Sequence, residues 1–307
     1  MKNKNGFIDS LKRYKILLLM LLPALIFVIV ISYIPMGGII LAFKQYNYRD
    51  GLWGSPWNGL QNFKFLQISG KLGSLTFHTL TYNLLFITFG TAINVLFAIV
   101  INEMRIKWFK KISQTFMFLP YFISWVVVSA LIMNIFGYEY GVLNNFLTSI
   151  GLERFDIYGS KQMWPAIMVL IYLWKQTGYG MVVYLASITG ISPDYYEAAE
   201  LDGANIFQKI WNITLPFLKG TIITMVLLAL GNVFRGDFGM FYQIVKNNQN
   251  LLEVSDILDT FIYRSLMSSS DMGMTAAAGL FQSVLCFITI MLANKLVKRA
   301  DPDYSLF

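Results

Sequence analysis

Lys175, Gln176, Tyr179, Asn83, Asn232, Arg235 and Asp237 stand inside some of the most apolar stretches of this chain. Asn94, Asn134 and Gln282 add neutral amides, and Tyr172, Trp174, Phe234, Phe238 and Tyr242 surround them with rings. A lysine, an arginine and an aspartate without a nucleophile-and-base pattern are poorly suited to catalysis, so no catalytic residue is expected. Amides and charges interleaved with aromatics suit binding a sugar, whose hydroxyls need hydrogen bonds and whose C–H faces stack on rings. Cations among them would add charge-assisted bonds to an acidic sugar. Other readings stand beside this one. Arg235 and Asp237 could pair with each other or cap an early helix end, Lys175 could bond a carbonyl of a partner subunit, and aromatics near span ends often form an interfacial belt. His78 is read as structural. The lone cysteine, Cys286, excludes an internal disulfide and behaves as a small hydrophobe. No His/Cys/carboxylate cluster has metal-ligand spacing.

The elements that position these residues are membrane spans. Of 307 residues, 56% are hydrophobic and only 13% charged, against about a quarter in soluble domains. Six segments approach the roughly 20 apolar residues needed to cross a bilayer: 16–33, 75–101, 112–136, 164–189, 217–245 and 274–296. The expected fold is an all-α polytopic membrane protein forming one domain over 1–307, with no extramembrane catalytic domain. The first apolar run exceeds a signal-peptide core and lacks a cleavage pattern, so it reads as a retained span. Its fifth span would place Arg235 about 27 Å from the cytoplasmic start.

The net charge of +7 comes from lysines and arginines that flank the apolar runs. That distribution orients a membrane protein beside lipid, and no nucleic-acid partner is expected. Residues 1–15, the segment "NEMRIKWFKK" (Asn102–Lys111) and the tail with Lys295, Lys298 and Arg299 fall on one side when the spans alternate. The positive-inside rule makes that side the cytoplasm and both termini cytoplasmic. Segment 190–216 lies there too.

That segment has the grammar of a short helix. Ser192 is a good N-cap, Pro193 suits the first helical position, and Asp194 and Glu197 favour the positive helix end. Gly203 can close it in a left-handed conformation. About ten residues cannot hold a helix alone in water, so something must pack on it. A second run follows with Ile206, Ile210 and Ile213 at helical spacing and Phe207 and Trp211 alongside, ending at Leu215-Pro216 because the residue before proline disfavours helix. Taken alone, this is an amphipathic connector of the kind most membrane proteins carry.

The spacing is more specific. Glu197-Ala198-Ala199, three residues, Gly203, nine residues, then Ile213-x-Leu215-Pro216 resembles the EAA signature of the membrane subunits of bacterial ATP-binding-cassette importers. "LPYFISWVV", "YLWKQTGYGMVVYLASITGIS" and the ending "DPDYSLF" extend the likeness over nearly the whole chain, towards carbohydrate permeases of the polysaccharide and oligosaccharide subgroup. The resemblance implies a type I importer permease in the bacterial plasma membrane. Glu197, Ala198, Ala199 and Gly203 would dock on an ATPase, with Asp202 and Ala204 beside them and Leu215 and Pro216 setting the return into the fifth span. It also implies a second, non-identical permease chain, two ATPase subunits holding ATP and magnesium, and an extracellular solute-binding protein. The chain has no G-x-x-x-x-G-K-[ST], so energy must come from that partner and no cofactor is expected here. The alternatives are a permease of the same class for another solute, or an ion-coupled secondary transporter, which would show internal repeat symmetry and a coupling carboxylate.

Overall fold

A computed structural model describes residues 13–68, 70–246, 248–269 and 271–307, without the side chains of 65–68 and 268–269. Lys2, Lys4 and Lys12 lie outside the described residues. The described chain is helical, with one isolated bridge between Lys44 and Trp57.

Helix α1 (Lys15–Phe43) is apolar and almost unpacked until Ala42. It holds a π turn at Ile29–Tyr33 and runs ten residues beyond the predicted end at Tyr33, finishing in a 3₁₀ turn at Gly37–Phe43. After a short α2 (Gln61–Ile68), α3 (Leu72–Glu103) crosses and packs along α7 (Trp164–Thr189), whose bounds match the sequence expectation. Small residues allow the approach: a methyl added at Gly180 would strike the Asn94 amide. One core cluster gathers Tyr82, Phe86, Trp164, Met168 and Phe241, and a second gathers Ala98, Ile99, Met181, Tyr184 and Leu218.

Two predicted spans are broken. Segment 112–136 bends by 98° between α4 (Lys107–Phe118, with a 3₁₀ turn to Phe122) and α5 (Trp125–Phe136). The helix tightens to a 3₁₀ turn through Pro120, Ile123 and Ser124 then become extended, and Ser124 caps α5 through a 3.4 Å bond from the Val127 amide. α6 (Val142–Ser149) follows in the next loop. Segment 217–245 is also interrupted. α9 (Ile206–Leu230) stops at Gly231, and α10 (Phe238–Val245) starts anew under an Asp237 cap that accepts from the Met240 amide at 3.0 Å.

Leu215-Pro216 does not end a helix. α9 passes through both residues, because Ile210–Thr214 adopts a π turn just before them. The wider turn removes the proline from the position where its ring would meet the carbonyl one α-turn back. The same arrangement precedes Pro35 in α1, where the π turn ends one residue before Ile34-Pro35. α8 (Pro193–Leu201) lies between α7 and α9. α11 (Gln249–Ser255), α12 (Leu258–Ser269) and α13 (Met272–Ala300) complete the chain.

Candidate coupling site and translocation path

The coupling segment folds as its capping residues dictate. The Ser192 hydroxyl accepts from the Asp194 amide at 3.4 Å, and Pro193 opens α8. Gly203 has φ +78°, donating to the Glu200 carbonyl at 3.0 Å while the Ala204 amide reaches the Ala199 carbonyl at 2.9 Å. That pair of bonds satisfies the last carbonyls in a Schellman turn, and a residue with a Cβ at Gly203 would be strained. Asn205 and Gln208 then form a capping box that starts α9. Two helices thus meet across a turn of a few residues.

Their relative position is held by side chains. Lys209 Nζ donates to Glu200 Oε1 at 2.6 Å, and that hydrogen bond, with the lysine charge, keeps the Glu200 carboxyl below the usual carboxylate range. Tyr196 and Thr214 share a 3.0 Å hydroxyl bond, and the Tyr195 and Phe217 rings lie 5.1 Å apart. The opposite surface is open: Glu197, Ala198, Asp202 and Gly203 are exposed, while Ala199 and Ala204 are half-buried. Leu201 is 90% exposed at the end of this polar helix, a position the motif reading passed over. An apolar residue at a helix end without an apolar neighbour in sequence was its only signal. Leu215 turns inward against the second core cluster, and Pro216 stays exposed.

The polar residues of the spans gather around the two breaks. Lys175 is 5% exposed and donates to the carbonyls of Tyr121 at 2.7 Å and Pro120 at 3.3 Å, lying over the Tyr121 and Trp125 rings. It therefore bonds carbonyls of its own chain, at the bend between α4 and α5. Trp125 Nε1 donates to Asp237 Oδ2 at 2.9 Å, which joins that bend to the start of α10. Asn83 Nδ2 donates to the Val233 and Arg235 carbonyls at 2.9 and 3.1 Å, and Gln282 Nε2 to the Phe234 carbonyl at 2.6 Å. Asp259 accepts from the Gly236 amide at 2.8 Å. Open backbone inside a bilayer requires such partners, and here side chains from α3, α12 and α13 supply them. Asp237 caps α10 and does not pair with Arg235, which is exposed and donates to Ser283 at 3.2 Å. Asn232 is exposed beside it. His78 takes a structural position, with Nδ1 3.1 Å from the Asp256 carbonyl.

Gln176 and Tyr179 come together elsewhere. They line a 280 Å³ cavity between α3, α7 and α9, with Thr91, Asn94, Tyr172 and Tyr184. Phe86 and Tyr172 stack at 3.8 Å along its wall, and Tyr121 stacks on Tyr179 at 4.5 Å. The Asn94 Oδ1 atom is shielded and has no partner among the described residues. Sequence reading placed Asn94 among the polar groups but could not tell that its acceptor is shielded and unused.

Residues 94–302 match the family described as binding-protein-dependent transport system inner membrane component. The chain belongs to this family. It is 32% identical over 298 residues to the polygalacturonan/rhamnogalacturonan transport system permease protein YteP of Bacillus subtilis, covering 97% of this chain and 92% of that protein. Protein LplB of Bacillus subtilis is 33% identical over 298 residues, covering 97% and 93%. A chain in the crystal structure of a bacterial importer of the acidic polysaccharide alginate superposes with TM-score 0.87 at 32% identity, over 96% of this chain and 99% of that one. The family architecture of helical importer permeases is therefore that of this chain.

Proposed function

We propose that this chain is one of two non-identical permease subunits of an ATP-driven carbohydrate importer in a bacterial plasma membrane, with its termini in the cytoplasm. The observation that carries the reading is α8: a capped helix, too short to stand alone, fixed from behind by Tyr195, Tyr196 and Lys209 and open in front at Glu197, Ala198 and Leu201. Two ATPase subunits, holding ATP and magnesium, would take that open face, with Asp202, Gly203 and Ala204 at its rim. Membership of a permease family makes a catalytic role for this chain itself unexpected, and an extracellular solute-binding protein would deliver the sugar.

The geometry supports a specific transmission route. Displacement of α8 passes to α9 through the Tyr196–Thr214 bond and the Lys209–Glu200 ion pair. α9 ends at the open backbone of 231–237, whose carbonyls bond Asn83 and Gln282 and whose Asp237 side chain accepts from Trp125. A tilt of α9 thereby moves the bend held by Lys175. Interfaces of this kind switch between discrete arrangements instead of deforming smoothly.

An acidic oligosaccharide is the substrate class best supported. The named relatives handle polygalacturonan, rhamnogalacturonan and alginate, and aromatic rings with free amides line the cavity at Gln176 and Tyr179. Arg235 and Asn232 would meet the substrate at the exposed end of the break, while Lys175, Asp237 and Asn83 shape the path from behind. The test is uptake by vesicles holding both permeases, the ATPase and the binding protein. Uptake of oligogalacturonate that needs ATP and ignores a proton or sodium gradient is expected. Gradient-driven uptake without ATP would overturn the reading in favour of a secondary transporter, and uptake of neutral sugars alone would overturn the acidic substrate.

A further inference from the structure

Helix α4 carries a feature that neither docking nor the path uses. Its exposed and shielded positions alternate with helical period. Lys110, Ser113, Gln114, Met117 and Phe118 are half-buried, while Lys107, Trp108, Lys111, Ile112, Phe116 and Leu119 are exposed. The shielded row ends against α7, where a methyl on Gly178 would collide with the backbone of Met117 and Phe118. Gly178 lies about 16 Å of helix short of the cytoplasmic end of α7. α4 therefore climbs from the cytoplasmic boundary to mid-leaflet depth with one face outward throughout.

The chemistry of that face changes with depth. Ile112, Phe116 and Leu119 are apolar, with Phe116 70% exposed. Below them Trp108, 65% exposed, marks the interfacial level. Arg105, Lys107 and Lys111 stand at the bottom, exposed, and none makes an ion pair among the described residues. Lys110 is turned inward to the Asn102 carbonyl at 3.5 Å. The Arg105 charge reaches Glu200 on α8, so the cluster adjoins the coupling helix.

From this juxtaposition we propose that Arg105, Lys107, Trp108 and Lys111 form an inner-leaflet site for an anionic phospholipid, whose headgroup sits on the cations and whose acyl chain lies along Ile112, Phe116 and Leu119. A soluble partner could cover the cations but not the apolar row above them, which lies at bilayer depth. An anionic lipid carries both the charge and the acyl chain that fit them, whereas a second permease chain seated on this face would leave the lipid preference undiminished in a triple variant of the three cations. The proposal rests on the cytoplasmic assignment of the α3–α4 turn and needs no assumption about the sugar.

The test uses the whole permease–ATPase complex in nanodiscs of phosphatidylcholine with or without phosphatidylglycerol. Retained lipid is counted by native mass spectrometry, and binding-protein-stimulated ATPase activity is measured alongside. Arg105→Gln, Lys107→Gln and Lys111→Gln together should lower the preference for phosphatidylglycerol roughly a hundredfold. Arg49→Gln with Arg154→Gln, on the outer loops, should leave it unchanged. The unsubstituted complex should lose the preference as salt rises, which tests the site even if the triple variant does not assemble. An undiminished preference in the triple variant, an equal loss in the outer-loop variant, or a preference indifferent to salt would overturn the proposal. Release of the ATPase with lipid preference intact would overturn it too, by assigning the cations to a protein contact. ATP-dependent import that persists without phosphatidylglycerol would leave the proposed function standing, so the two ideas fail separately.

Discussion

Lys175→Met separates a lysine that holds the fold from one that touches sugar. The ammonium donates to the Tyr121 and Pro120 carbonyls and lies within 5.4 Å of two ring centroids, at 5% exposure. Hydrogen bonds to a charged group are worth about 1.5–3 kcal/mol each. Desolvating the ammonium opposes this, and methionine refills most of the volume, so a net loss of about 2–3 kcal/mol is expected. For a chain of this size that corresponds to a fall on the order of 5 °C in the unfolding midpoint. The assay is thermal unfolding of the detergent-solubilised complex, followed by uptake of acidic and neutral oligosaccharides at a temperature where the variant is folded. The bend should loosen, and uptake of both sugars should fall together. An unchanged midpoint with selective loss of acidic-sugar uptake would refute the argument, because the charge would then act on substrate and not on the carbonyls.

Further outcomes follow from the same geometry. Gly203→Val should strain the left-handed turn by about 1–2 kcal/mol, leaving stability of the spans intact while ATPase co-purification falls. Tyr196→Phe removes a 3.0 Å hydroxyl bond between α8 and Thr214, costing about 1 kcal/mol; the ATP hydrolysed per sugar imported should rise. Glu200 is held below the usual carboxylate range by Lys209, so its contact contributes at pH above the unfolded-state value and is lost as pH falls through the lower folded value. Protection of 193–209 against hydrogen exchange, corrected for the intrinsic pH dependence of amide exchange, should be constant on the neutral side and fall as pH drops through the lowered range of the Glu200 carboxyl, and Glu200→Gln should abolish that acid step. Trp125→Phe keeps the ring over Lys175 but leaves Asp237 short of a 2.9 Å donor; a loss of about 1–3 kcal/mol in thermal stability is expected, and a double-mutant cycle with Asp237→Asn in which the two single losses exceed the loss of the double variant would show the bond as its cause.

The coupling unit could be read from sequence because its determinants are local. Ser192, Pro193 and Gly203 act within one turn of where they sit, and the ends of α7 and α8 follow from them. The breaks at 123–124 and 231–237 could not be placed that way. The first lies in an apolar run, and the second, although Gly231, Asn232, Arg235 and Asp237 interrupt the apolar pattern, can equally be read as polar groups inside a continuous span. The groups that make open backbone tolerable come from far along the chain: Lys175 for the carbonyl of Tyr121, Asn83 for that of Val233, Gln282 for that of Phe234. The same separation explains why polar residues in the spans were hard to assign. An intramembrane amide or cation has two economical uses, a ligand or an unpaired backbone group, and composition does not distinguish them. Proline gives part of the answer. Pro120 marks a true bend, whereas Pro35 and Pro216 are absorbed by preceding π turns and leave their helices continuous. Where a span is broken, its polar neighbours are first spent on the break. What remains unspent is the shielded Asn94 acceptor beside Gln176 and Tyr179 in the cavity, the one such atom among the described residues that no break has claimed.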